Sequence, residues 1–540
     1  MNPLPKWDKI LYDRKEGKQM KRVLCLVLMV TMLLSMALCR AEASVYPLEP
    51  VTLTVNIDET ARESIPHWAL DYYIWDIIEK QTGVKLECWG ADGRATGNSE
   101  DINVMIAGGN YPDIFINNWL SYPGGPSKAI ESKIILPLND IIEQYCPNLT
   151  KVLAENEGWA KDIVTDDGTM YVFPLLRAAR DQTFYGFGYR QDKLDEFDLQ
   201  VPTTPEELEE VLMVFKENGM ECGLTFEYRF LFTGDQGYGT ILQSGFGLKS
   251  GWYVDEGTVH LGEYEEKYYD FLVWLNRLFE NGLIDPDMPS INKATSLAKF
   301  SNGEAWACIA QSSATIAGLQ YTNADKGWVG VAGRSLAEES GAEPQFGHMQ
   351  NSYAGNASAA ISTKCSNVEA AARYLDWFYG EENLETFQHG VEGFCYAIVD
   401  GEYTRDLQYL IPLEGEGADN VATRMVYGIV GTNWPMKMLD GMSHNYYQYP
   451  AETEKVLEVW RDNNMIEHIM PPVTMTVDEA NEYASLFNDI DSYMKEQISL
   501  FIQGKRSLDE YPDYRATLES MGVERLIELE QAAYDRYMAR

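Results

Sequence analysis

The segment Val51-Thr52-Leu53-Thr54-Val55-Asn56-Ile57 alternates apolar and polar residues at period two, the pattern of a strand with one face in a core. Leu70, Ile74, Ile77 and Ile78 then recur at helical spacing, and Gly83 stands where a left-handed residue ends a helix. Residues 84–88 predict a second strand, 101–107 a further helix, and the apolar run Ile114-Phe115-Ile116 a third strand. This β-α-β-α-β order belongs to an α/β domain with a mainly parallel sheet. Further along, Asp166-Asp167-Gly168-Thr169 predicts a hairpin turn before a strand at 170–174, and the aromatic, glycine-rich run from Phe184 predicts another strand. Thr204-Pro205-Glu206-Glu207 combines an N-cap, a proline at the first helical position and a capping-box glutamate, so a helix begins there and runs to about Gly219. Similar signals predict helices over 264–281, 368–379 and 476–504, and the remainder of the C-terminal region reads as helical packing.

The third strand opens into Asn117, Asn118, Trp119, Ser121 and Tyr122, with Gly124-Gly125 just beyond. An ordinary polar turn accounts for the amides and glycines, but not for an indole and a phenol. In open α/β sheets, ligands bind outside the carboxyl ends of the strands, and this segment follows such an end. Asn117, Asn118, Trp119 and Tyr122 are therefore candidate ligand-binding residues. Amides match the hydroxyls of a sugar, and aromatic planes match its C–H face; binding sites are concave with a few convergent polar groups.

With 540 residues and 45% hydrophobic content, the chain has enough apolar material for two or more cored domains. Residues 20–43 run from two basic residues through an apolar stretch to Ala41-Glu42-Ala43, the order of a secretory signal. Residues 1–43 are thus expected to be a signal peptide with an over-long start, cleaved after Ala43. Cys39 offers the alternative of a lipid anchor, but Leu38 before it is large for that processing. The net charge of −40 becomes more negative without this net-basic segment; it disfavours nucleic acid and anionic lipid, and suits a soluble monomer. Cys88, Cys146, Cys222, Cys308, Cys365 and Cys395 are scattered singly, so neither a zinc site nor a dense disulfide scaffold is indicated; they read as buried thiols, with one or two disulfides an alternative. The six histidines are dispersed, and neither G-x-S-x-G nor H-E-x-x-H occurs, so catalysis has no sequence handle. No metal or cofactor is expected.

Several blocks, in order, carry a resemblance: EKQTGVKLE, MIAGGNYPDIF, ILPLNDIIEQYCPNL, DDGTMYVFPL, YRQDKLDEFDLQVPTTPEELEEVLMVFKENG, FSNGEAW, AAISTKCSNVEAAARYLDWFYGEE, GVEGFCY, MPPVTMTVDEA and AAYDRYMAR. Together they resemble the large family-1 extracellular solute-binding proteins of carbohydrate ABC importers, the LipO-like branch. The resemblance implies an α/β, two-lobe periplasmic-binding-protein-like fold (type II), with a hinge between the lobes and a helical C-terminal extension. It implies residues 44–175 plus 311–363 as one lobe and 176–310 plus 364–540 as the other. Some relatives carry a calcium loop of EF-hand type after a helix corresponding to the one ending near Asn218; Lys216-Glu217-Asn218-Gly219-Met220-Glu221 lacks the alternating carboxylates, so no calcium is expected there.

The implied function is capture of an oligosaccharide in the interlobe cleft and its delivery to ABC permease subunits. Under this resemblance Arg177 and Arg180 are candidates on the crossover, Tyr185, Tyr228 and Phe230 on the second lobe, Gln311 and Ser312 on the returning crossover, and Trp434 on the loop GTNWP. Tyr353 and Glu392 are weaker candidates. A sensor ectodomain of the same fold, or a binder of peptides or polyamines, is the alternative; a secreted glycosidase would need two placed carboxylates that nothing in the sequence singles out.

Overall fold

The computed structural model describes residues 46–540 except 57–72, 90–98, 178–182, 232–239, 311–312, 350–357, 406, 412–433 and 439–449. Seven strands organise it: β1 (Val51–Asn56), β2 (Val84–Cys88), β3 (Ile114–Ile116), β4 (Gly186–Arg190), β5 (Ala307–Ala310), β6 (Gly330–Gly333) and β7 (Ala359–Ile361). The first sheet has the order β2-β1-β3-β7. Its first three strands are parallel, with Val51 opposite Val84 and Val55 opposite Ile114, whereas β7 runs antiparallel with Ile361 opposite Ile114.

The period-two pattern of β1 places Leu53 and Val55 in the core, where Ile74 and Ile78 of the helix Tyr73–Thr82 meet them. Gly83 ends that helix at φ +78°, and a Cβ there would lie 2.2 Å from the carbonyl oxygen of Leu48, so both conformation and space require glycine. The expected hairpin at 166–169 is present, closed by pairing of Val164 with Met170. The strand expected at 170–174 is instead an extended segment with isolated bridges, including Phe173 to Ala359.

The second sheet has the order β5-β4-β6, with β4 antiparallel to both neighbours. Parallel bridges Thr225–Cys308 and Leu224–Ile284 extend it beyond β5. Its core takes Phe187 and Tyr189 from β4 and Leu208, Val211, Leu212 and Phe215 from the capped helix Pro205–Glu217. Ile490, Met494, Ile498 and Phe501 of the long helix Val477–Ile502 join it, and that helix starts with the expected Thr476/Glu479 capping box.

The two cores correct the expected lobe boundaries. Strand β6 bonds to β4, and the helix Ser313–Thr322 lays Ile316 against Gly188 of β4, so residues 313–333 belong with the second sheet. In the other direction, the helices Val368–Trp377 and Glu381–Gln388 supply Tyr374, Trp377 and Phe387 to the first core, as does the stretch Trp434–Met438. The expected division treated residue 363 as the end of the return. The pairing of β7 with β3 makes it instead the start of a long stay in the first lobe.

Trp460 closes a satellite of the second core. Its Nε1 donates to the Phe187 carbonyl at 2.9 Å, and its ring lies so close that a Cβ on Gly186 would sit 2.1 Å from it. Alanine at 186 must displace the indole, and overpacking of this kind costs about 1–3 kcal/mol. Gly186→Ala is expected to lower the unfolding free energy by that amount in a urea titration, with loss of the Trp460 hydrogen bond visible in its fluorescence.

Asp376 is buried and accepts from the backbone N–H of Leu149 at 2.8 Å and of Asn148 at 3.2 Å, capping the helix Pro147–Glu155. Burial pushes its carboxyl up to about 6 despite those donors and nearby Arg373. The folded chain therefore holds this proton more tightly than the unfolded chain. The stability so gained is complete below the unfolded value of about 4 and is lost as pH rises through 6. The melting temperature of Asp376→Asn, relative to the unsubstituted protein, is expected to be more favourable at pH 8 than at pH 5.

Cys146, Cys222, Cys308 and Cys365 are thiols, not disulfides. Burial pushes Cys222 and Cys365 up to about 12, and raises Cys146 and Cys308 further.

Candidate functional site

Each sheet has one end at which polar and aromatic residues gather. In the first sheet, β1 ends at Asn56, whose buried side chain accepts from Ile116 N–H at 3.0 Å and donates to the Ile116 carbonyl at 3.2 Å. That amide fixes the end of β3 and hence the start of the Asn117 loop. Asn117 N–H donates to the carbonyl of Ser358, just before β7. Asn118 Oδ1 accepts from Leu120 N–H at 3.1 Å and caps the short 3-10 turn Trp119–Ser121.

Deeper in the same sheet, Asp113 accepts from Thr54 N–H, Thr54 Oγ1 and Ser366 N–H. Burial opposes its charge, but these hydrogen bonds outweigh burial and hold its carboxyl below the usual value.

In the second sheet the corresponding end collects Tyr185 before β4, Ala310 at the end of β5, and Glu227 and Tyr228 beyond the Thr225 bridge. Among the described residues the chain changes lobe three times: between Leu176 and Tyr185, between Phe346 and Ser358, and between Met438 and the helix Pro450–Trp460. The first two passages are tied by His348. Its Nδ1 accepts from Phe184 N–H at 3.1 Å, its carbonyl accepts from Thr183 Oγ1 at 3.1 Å, and its ring meets Tyr185 edge-on at 4.5 Å. An acceptor at Nδ1 requires the neutral ring with its proton on Nε2. Sequence reading grouped His348 with the dispersed histidines; a lone histidine gives no signal that two passages meet on it.

The candidate residues divide sharply. Asn117, Asn118 and Tyr122 are half-buried at the end of the first sheet, with burial raising the Tyr122 phenol. Arg177 is half-buried on the first passage, its guanidinium 5.4 Å from the ring centre of Phe184. Tyr228 is half-buried at the end of the second sheet and donates to the Lys495 carbonyl at 3.2 Å; burial pushes its hydroxyl up to about 12. Gln311, Ser312, Arg180 and Tyr353 lie outside the described residues, and so does the side chain of Phe230. Glu392 is exposed at a small bridge with Tyr396.

Three aromatic candidates are core residues. Trp119 is 0% exposed, turned inward against Phe115 at 5.4 Å and Tyr122 at 5.5 Å. Trp434 is 2% exposed and packs on Trp75 at 5.0 Å and Phe378 at 5.5 Å. Tyr185 is also 2% exposed, in the second core. The apolar surface of these rings gains more from a core than from a stacking face in water. Trp119→Ala is accordingly expected to lower unfolding free energy by about 3–5 kcal/mol in a denaturant titration, the cost of truncating a buried aromatic. A ring serving only as a ligand platform would leave that quantity nearly unchanged.

Two α/β lobes, between which the described chain changes three times, with polar loops at one strand end of each, define a two-lobe binding-protein fold. The chain belongs to the bacterial extracellular solute-binding protein family, whose model matches residues 66–385. It is 22% identical to the fructooligosaccharide ABC transporter substrate-binding protein FusA of Streptococcus pneumoniae serotype 4, over 95% of this chain and 98% of that protein. It is 28% identical to the polygalacturonan/rhamnogalacturonan-binding protein YtcQ of Bacillus subtilis, over 42% of this chain and 44% of that protein. Among solved structures, the alginate-binding protein AlgQ2 without calcium ion superposes with a TM-score of 0.70 at 19% identity, covering 90% of this chain and 98% of that one. FusA in complex with kestose gives 0.70 at 20% identity, covering 91% and 100%.

Proposed function

We propose that this protein captures an oligosaccharide between its two lobes and delivers it to the permease subunits of an ABC importer. The observation that carries the reading is the end-to-end match to a fructooligosaccharide-binding relative in a chain whose two sheets share a two-lobe fold. Asn117, Asn118 and Tyr122 from the first lobe, Arg177 from the passage and Tyr228 from the second lobe are the proposed contacts, and Gln311 and Ser312, outside the described residues, are proposed with them. Amides and phenols suit sugar hydroxyls, and Arg177 would suit a carboxylate on a uronate residue. YtcQ, named for polygalacturonan, makes the uronate reading worth a separate arm.

The protein works as a monomer without catalysis: ligand favours the closed state, and the closed state is what the permease meets. Residues 1–43 act as the export signal in this reading, with Cys39 as the alternative anchor point. Among the described residues no helix is long and apolar enough to cross a membrane.

The test is a thermal-shift screen of residues 44–540 against neutral fructo-oligosaccharides, uronate oligomers, peptides and polyamines. A ligand at one hundred times its dissociation constant stabilises the native state by about 2.7 kcal/mol, so a rise in melting temperature with one carbohydrate class is expected. Arg177→Ala should abolish a uronate shift and spare a neutral one. A response to peptides or polyamines alone would overturn the carbohydrate reading.

A further inference from the structure

The C-terminal helices touch both lobes. The last helix, Val523–Ala539, starts in the second core through Val523 and Leu526, and Gln531 bonds to the hairpin of strands Trp252–Asp255 and Thr258–Leu261, accepting from Val259 N–H at 2.8 Å and donating to the Gly257 carbonyl at 3.2 Å. Its final turn ends on the first lobe. Tyr537 donates to the buried carboxylate of Asp162 at 2.7 Å, and Arg540 donates to the Val164 carbonyl at 2.7 Å. The hairpin carboxylate of Asp166 accepts from both Arg536 and Arg540, and Arg536 also donates to Glu479 on the long helix. Near its start the long helix runs beside the first lobe as well, where a Cβ on Gly124 would lie 3.7 Å from Asn481 Oδ1.

These contacts are not loose surface pairs. Asp162 is 5% exposed, Tyr537 8%, and the Arg540 side chain 10%. Separating them would leave the buried Asp162 carboxyl without its Tyr537 donor and the largely buried Arg540 guanidinium without Asp166, and a buried polar or charged group left without its partner is costly. Closure by hinge bending needs only a rotation, and a rotation leaves points on its axis in place. A contact too costly to break and shared by both lobes must lie near that axis.

We propose that the junction of Asp162 and Asp166 with Arg536, Tyr537 and Arg540 is a noncovalent fourth connection between the lobes, intact in the open and closed states, which fixes the axis of closure. It restricts the ligand-free ensemble to relative lobe orientations from which the cleft can close. Apparent affinity scales with the fraction of molecules in a competent arrangement, so the junction contributes to ligand binding without touching ligand.

The inference rests on the two-lobe binding reading but is tested first without ligand. Small-angle scattering of the ligand-free Arg536→Ala/Arg540→Ala double variant should show a larger radius of gyration and a broadened distance distribution. Tyr537→Phe, which removes one hydrogen bond and little volume, should show the same change in smaller degree, with near-UV circular dichroism unchanged. With the carbohydrate found by the thermal screen, the double variant should bind at least tenfold more weakly. Hydrogen exchange at 161–169 and 533–540 in the unsubstituted protein should be equally slow with and without that sugar.

Scattering identical to the unsubstituted protein in both variants would overturn the proposal. So would exchange at 161–169 that accelerates more than tenfold on ligand removal, because the junction would then be a clasp made only on closure. A protein that binds no carbohydrate would instead refute the functional reading, leaving the scattering result to decide the junction.

Discussion

The first lobe cannot be completed by the first part of the chain. Its sheet needs β7, which pairs Ile361 with Ile114 and places Ala359 opposite Phe173, yet β7 lies beyond the whole of the second sheet in sequence. This one antiparallel pairing obliges the chain to leave the first lobe, build β4, β5 and β6, and come back. The outgoing and returning passages meet where His348 contacts Phe184 and Tyr185. A division into two lobes follows from the topology before any ligand-binding residue is considered.

The same return brings Ser358 to the Asn117 backbone, so the loop after β3 is held from two directions: by the returning passage and by the Asn56 amide on β1. Such bracing matters for a binding protein, because polar groups kept in one arrangement lose less freedom when ligand arrives. The second lobe is braced differently. Tyr228 reaches the long C-terminal helix, so its position depends on a helix that also packs across the second core.

Local structure was legible because it is written in local chemistry. The alternation in β1, the cap at Thr204 and the box at Thr476 each identify an element from a few adjacent residues, and the helices start there. The lobe assignment of 313–333 and 364–388 was not legible, since it depends on which distant strand β6 pairs with and which core the helices after β7 enter, a property of contacts between remote segments. Candidate side chains followed the same rule. The half-buried Asn117 and Asn118 were readable as strand-end amides, whereas Trp119 and Trp434 were misread as platforms. An aromatic ring next to polar residues looks alike in sequence whether it turns outward or, as both do, inward onto Phe115 or Trp75. His348 was missed because its importance lies in its position between two passages, which no neighbouring residue announces.

The buried thiols carry a consequence for how such a chain is made. Cys146 points its sulfur at the Ala372 carbonyl inside the first core, and Cys308 is enclosed in β5 of the second. With their protons held far above neutral pH, these sulfurs are poor nucleophiles once the cores close. Their one exposed moment is before packing is complete. Burial in the closed cores is thus the protection these sulfurs have, and in the finished molecule packing takes the place of any bond between Cys146 and Cys308 and other cysteines.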